Sequence, residues 1–163
     1  MNLNFLKKVP LLQELDNAEL ELIAACLQKC SVKEGNYLFH ENEKGNELFI
    51  LHKGKIGISK KMTLIEEQDQ VDKTFIVLDA EQHVFFGEIG LLGYKRRTAS
   101  AFAKTDCELF KLQQQDFEAI SQEHPKIGFK ILNQICLKLS NLLDKADSDI
   151  LKLTTALIFA LKN

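Results

Sequence analysis

The residues best able to do chemistry in this chain crowd into one stretch, FFGEIGLLGYKRRTASAFA, residues 85–103. Glu88 follows Gly87, and Lys95, Arg96 and Arg97 stand directly before Thr98. The apolar insert at 89–92 is long enough for one turn of helix, whose first N–H groups lack intrahelical partners and suit an anion. Gly87 permits a positive φ or a close backbone approach at the start of that turn. Arg97 can present two parallel donors to two anionic oxygens, where a lysine would offer a point charge. Thr98 adds a hydroxyl donor, whereas an ionised Glu88 only accepts and suits hydroxyls rather than a phosphate. A phosphate beside vicinal hydroxyls is a ribose phosphate, so a nucleotide fits the set. The plainer reading is a surface ion pair steadying a loop, which contributes little at an exposed site. Lys95 and Arg96 read most simply as a solvated turn.

These residues need a frame. Around them, from residue 31 to 112, apolar residues alternate in short runs rich in aromatic and β-branched types: NYLFHE, ELFILH, KIGISK, KTFIVLD, HVFFG, SAFAK and CELFKL. Turn signals at Gly35, Gly45 and Gly54 fall about ten residues apart, the texture of an antiparallel barrel or sandwich. The polar tract at 66–72, EEQDQVD, reads as a solvated hairpin tip.

Helical periodicity flanks these runs. Leu20, Ile23, Ala24 and Leu27 share one face of a helix read over 11–29, and Asp16 with Glu19 makes a capping box at its start. A short helix is expected at 116–121, and Pro125 suits the first turn of the next. Beyond it Leu132, Ile135, Leu139, Leu142, Ala146, Ile150, Leu153 and Leu157 keep a 3-4 spacing, the seam of a coiled-coil-like helix. Asp147-Ser148-Asp149 interrupts the stripe and leaves open a break with a second helix folding back. The stripe packs either on the chain's own barrel or on a second copy, and it outlasts what a small barrel covers, which favours a homodimer.

Composition narrows the function classes. With 163 residues, 45% hydrophobic and 27% charged, the chain suits one globular domain with a real core. A formal net charge of −2 offers no overall basic surface to DNA or anionic lipid. Four scattered cysteines (Cys26, Cys30, Cys107, Cys136), an opening without a cleavable leader and apolar runs too short to span a bilayer suggest a cytoplasmic, soluble protein. Cys26 and Cys30, read as one helical turn apart, leave a redox or metal sensor open, although a closed metal site needs further ligands nearby. His40, His52, His83 and His124 are scattered, and no nucleophile motif or acidic pair suggests an enzyme.

The cluster at 85–103 resembles the phosphate-binding cassette of the cyclic nucleotide-binding domain family, which includes the catabolite activator protein and the protein kinase A regulatory subunits. The cassette's F-G-E-[LI]-[AG]-L, short spacer and [PE]-R-x-A appear as Phe86, Gly87, Glu88, Ile89, Gly90, Leu91 and then Arg97, Thr98, Ala99. VKEGNYLFHENEKGNELFILHKGKIGI resembles the family's three-glycine signature. Arg96 stands where many members have proline. The resemblance covers most of the chain and implies a mainly-β α+β fold. Its core is an antiparallel eight-stranded β-roll, a double-stranded β-helix of jelly-roll kind, with flanking N-terminal helices and a long C-terminal helix. The domain is then the whole of 1–163, divided into N-terminal helices at 1–30, the β-roll at 31–112 and C-terminal helices at 113–163.

The resemblance further implies a site. Arg97 would take the exocyclic phosphate oxygens, Glu88 the ribose 2′-hydroxyl, the amides of residues 87–89 the rest of the phosphate, and Thr98 the phosphate or base. A threonine after the arginine accompanies a guanine preference in some relatives, and a hydroxyl there also occurs in adenine binders. An ungapped alignment on Pro125 sets Leu142 and Leu143 against the base. The expected ligand is cyclic AMP, with cyclic GMP possible, and no cofactor or metal. The expected role is a sensor signalling through its C-terminal helix to an unknown partner, by a homodimer, without a DNA-binding domain, for which residues after Pro125 leave no room. A family member that has lost nucleotide response and serves as an interaction adaptor is the main alternative.

Overall fold

Local sequence chemistry starts the first substantial helix. The Asp16 carboxylate accepts from the Glu19 N–H, and the Glu19 carboxylate accepts from the Asp16 N–H, at 2.9 Å each. The structure is a computed structural model. It describes residues 2–63, 70–93 and 96–161, and the side chains of all these except 61–63 and 70–75. The expected hairpin tip at 66–72 falls mostly outside these residues, as does Lys95.

In chain order the elements are α1 (Leu3–Leu6), a single 3-10 turn (Pro10–Leu12), α2 (Asn17–Cys26), β1 (Gln28–Val32), β2 (Tyr37–Phe39), β3 (Glu47–Lys53), β4 (Lys55–Thr63) and β5 (Gln70–Asp79). A second 3-10 turn (Ala80–Gln82) leads to β6 (Phe85–Phe86), α3 (Glu88–Leu91), β7 (Ser100–Ala103), β8 (Cys107–Gln113), α4 (Gln114–Glu123) and α5 (Pro125–Leu161). The eight strands form two antiparallel four-stranded sheets, in the orders β1-β8-β3-β6 and β2-β7-β4-β5. This is the expected β-roll with helices at both ends of the chain and a long C-terminal helix.

Strand alternation sorts the core into two layers. Phe49, Leu51, Phe86 and Leu109 pack with Ile56 and Ala101 between the sheets. Leu48, Ile50, Phe85, Phe110 and Leu112 turn the opposite way, onto a helical layer that includes Leu20, Ile23, Phe117, Ile127, Ile131 and Ile135. Consecutive phenylalanines 85 and 86 therefore serve different cores, and β6 is clamped from both faces.

Two local expectations change. The first helix ends at Cys26 rather than running to residue 29, and residues 28–32 form an edge strand paired with β8 from Gln28↔Lys111 to Val32↔Cys107. Cys30 therefore lies on a strand and does not share a helical face with Cys26, whose thiol donates to the Leu22 carbonyl. Burial raises both thiol pKa values. No group of three or more His, Cys, Asp or Glu side chains able to hold a metal occurs among the described residues. The helix expected at 116–121 is longer, spanning 114–123.

The last helix is the expected long one: it is continuous for 37 residues, straight through Asp147-Ser148-Asp149, and the alternative of a fold-back does not occur. Polar side chains on an exposed helix face break no backbone hydrogen bond, and Lys152 pairs with Asp149 along that face. Its N-terminal part is anchored by Ile127, Ile131 and Ile135, whereas residues 140–161 are exposed throughout. No helix among the described residues is long and apolar enough to cross a membrane.

Candidate functional site

The stretch 85–103 leaves the roll after β6 and rejoins it at β7. Gly87 caps α3 at φ 78° and ψ 16°, left-handed geometry that favours glycine. One helical turn follows. The chain then returns through Arg96, which bridges Lys44 and whose guanidinium donates to the Asn42 carbonyl at 3.2 Å. The Arg97 amide donates to Glu43 O, and its own carbonyl accepts from the Asn42 amide, at 2.8 Å each. These bonds sew the cassette to the β2–β3 connection.

The backbone sewing delivers the Arg97 side chain into the roll, where it is 5% exposed. Nη1 donates to Glu47 O at 2.8 Å and Nη2 to Glu47 Oε2 at 2.5 Å. The guanidinium lies over the Phe39 ring, with Cζ 4.2 Å from its centroid, and Nε is buried with no hydrogen-bond partner among the described residues. Three glycines leave it room. A Cβ on Gly45 would fall 2.1 Å from Arg97 Nε, one on Gly90 2.9 Å from Nη1, and one on Gly87 3.0 Å from Nη1. Burial pulls the guanidinium pKa below its ordinary value, and the carboxylates of Glu47 and Glu43 oppose that shift. An arginine nonetheless stays charged. The result is a fixed cation on an aromatic floor, held by Glu47 through Nη1 and Nη2.

Glu88, at the start of α3, is 6% exposed. Its Oε2 accepts from Lys138 Nζ of α5 at 3.0 Å, and the same ammonium donates to Phe85 O at 2.7 Å. So Glu88 and Arg97 are both buried and paired with other residues, and they do not form the surface ion pair that the plainer reading of the sequence supposed.

A cavity of about 270 Å³ lies between the cassette, the β4–β5 face and α5. Phe86, Gly87, Glu88, Ile89, Gly90, Arg96, Arg97, Thr98 and Ala99 all line it, as does Leu142. Two expected residues do not. Leu91 is 2% exposed and closes the helix-side core. Leu143 is 63% exposed, because one residue along a helix is a rotation of about 100° away from Leu142.

The remaining lining was not named from the sequence: Phe39, Ile58, Ile76, Leu78, Lys138 and Leu139. Part of the signal was present. Lys138 and Leu139 precede Leu142 by one helical turn and so share its face. Ile58 and Ile76 are direct cross-strand partners, as are Ile56 and Leu78, but that register follows from the sheet alone. Glu47 as the partner of Arg97, fifty residues away, carried no local signal. The cavity thus has a cationic and hydrogen-bonding end at the cassette and an apolar end between β4–β5 and α5.

Comparison with known proteins agrees with this geometry. The chain is 34% identical over 101 residues to human cGMP-dependent protein kinase 2, covering 62% of this chain and 12% of the kinase. It is 28% identical over 160 residues to the human potassium/sodium hyperpolarization-activated cyclic nucleotide-gated channel 1, covering 92% of this chain and 17% of the channel. It therefore spans a small part of either relative. Among solved structures, the catabolite activator protein of Thermus thermophilus superposes with a TM-score of 0.75 at 25% identity, over 89% of this chain and 63% of that one. Residues 29–124, more than half of the chain and all of the cavity's lining except that from α5, match the family model of the cyclic nucleotide-binding domain, and the chain belongs to that family.

Proposed function

We propose that the cavity binds a 3′,5′-cyclic nucleotide, cyclic AMP by preference, and that the chain works as a regulatory sensor with 1–163 as its unit. The observation that carries this is the convergence of a buried arginine, a buried carboxylate and a one-turn helix on one end of an otherwise apolar cavity. Arg97 offers a fixed positive charge to the phosphate, and the amides around Gly87 complete the cradle. Glu88 accepts from the ribose 2′-hydroxyl. Leu142 and the β4–β5 face cover the purine by apolar contact, which suits adenine, while the Thr98 hydroxyl on the cavity wall suits guanine as second ligand. Relatives named for cyclic GMP and for cyclic nucleotides in general are compatible with either base.

Signalling passes through α5, because the cavity is roofed by its residues 138–142 while its anchor lies at 127–135. Ligand that binds one placement of α5 better than another shifts the population between them. The exposed apolar residues Leu142, Ile150, Leu153 and Leu157 support a homodimer through α5. The same face supports the second reading, an adaptor without nucleotide response.

Calorimetry with cyclic AMP and cyclic GMP separates the two. Binding of one nucleotide is expected, reduced at least a hundredfold by Arg97→Ala in protein that still shows β-rich circular dichroism. No heat from folded wild type with either nucleotide refutes the sensor reading, and undiminished binding by Arg97→Ala refutes the site.

A further inference from the structure

Lys138 projects from α5 into the cassette and makes three contacts there. Its Nζ donates to Phe85 O at 2.7 Å and to Glu88 Oε2 at 3.0 Å, and stands 4.3 Å from the centroid of the Phe85 ring. Among the described residues it is the ion-pair partner of Glu88. A carboxyl group as buried as that of Glu88 needs partners for its oxygens, and the Lys138 ammonium supplies one. A carboxylate also has two oxygens. Lys138 engages Oε2, which leaves the acceptor capacity of Oε1 for a hydroxyl.

The position of Lys138 matters as much as its charge. Leu139 beside it and Leu142 one turn later line the same cavity. The group that steadies the ribose-reading carboxylate is therefore carried on the helix that covers the base end. We infer that Lys138 is a positioning residue for Glu88, holding its carboxyl group in place so that recognition of the ribose 2′-hydroxyl and docking of α5 on the cassette are one linked event. The inference rests on the cyclic-nucleotide reading of the cavity. With α5 undocked, Glu88 loses the bond that fixes its orientation and is worse placed to accept. With the hydroxyl engaged, the fixed Glu88 holds Lys138 more firmly and α5 with it.

The test compares cyclic AMP with 2′-deoxy cyclic AMP by calorimetry, on wild type, Lys138→Met and Lys138→Arg. A hydrogen bond to a charged acceptor predicts that wild type favours the ribose form by about tenfold. Lys138→Met is expected to cut that ratio to about threefold or less, and Lys138→Arg to keep most of it. Merely loosening α5 would weaken both ligands equally and leave the ratio unmoved, so the ratio separates positioning from packing. If Lys138→Met does not fold, Lys138→Gln takes its place with the same expected loss. An unchanged ratio in folded Lys138→Met or Lys138→Gln overturns the inference, as does a wild type that binds both nucleotides equally. Wild type that binds neither refutes the underlying binding reading itself, and this inference with it.

Discussion

Glu47→Gln isolates the charge that balances Arg97. The substitution preserves shape, keeps the backbone bond from Arg97 Nη1 to the carbonyl of residue 47, and leaves a neutral oxygen where Oε2 accepts from Nη2. The charge alone is lost. A hydrogen bond between charged groups contributes about 1.5–3 kcal/mol and a neutral one about 0.5–1.5, so the exchange costs about 1 kcal/mol directly. Arg97 is 5% exposed and then lacks a contacting counter-charge, which costs more. Removing one member of a fully buried pair costs about 3–5 kcal/mol, but the Glu47 side chain is 26% exposed and solvent screens part of that. The expected total is about 2 kcal/mol. For a domain of this length that lowers Tm by about 4–8 °C. The chain has no tryptophan, so far-UV circular dichroism is the appropriate probe of the melt. Saturating cyclic AMP should return more of the lost stability to Glu47→Gln than it adds to wild type, because the phosphate supplies the missing negative charge. A ligand-free melt within 1 °C of wild type would refute the view that Glu47 compensates a buried cation.

Two further outcomes follow from other parts of the molecule. Glu19 is held below its ordinary pKa of 4.5, first by the hydrogen bond from Lys130 on α5 and then by the Asp16 amide. A depressed folded value means that its stabilisation is present above the unfolded pKa and disappears as pH falls through the folded one. Glu19→Gln should therefore lower stability by about 1 kcal/mol at pH 7 and by much less at pH 3, as read from urea melts at both values. An equal loss at both would locate the effect elsewhere. Leu153→Glu with Leu157→Glu places two charges on the exposed end of α5, and sedimentation velocity should show a dimer become a monomer whose β-roll melts unchanged.

The Asp16–Glu19 box was legible because both partners lie within one helical turn, where spacing alone sets the geometry. The β3 and β8 runs were legible because short runs rich in aromatic and aliphatic residues, bounded by turn signals, suit strands. β1 was not. QKCSV carries little apolar alternation, and it becomes a strand because β8 offers an unpaired edge beside it. The tertiary ladder overrides local propensity there.

The same division runs through the site. Sequence alone determined which residues could hold a phosphate and a ribose, because Gly87, Glu88, Arg97 and Thr98 sit on one short segment whose chemistry is local. It also set the stripe of α5, a property of periodicity. Only the tertiary structure decided what those groups touch. Glu47 meets Arg97, Phe39 lies beneath it and Lys138 reaches Glu88 across about fifty residues, each through strand register and helix packing. It also decided that Leu142 faces the cavity while Leu143 faces outward. Helix phase relative to a distant sheet is fixed by the core contacts of Ile127, Ile131 and Ile135, which no spacing within the helix encodes.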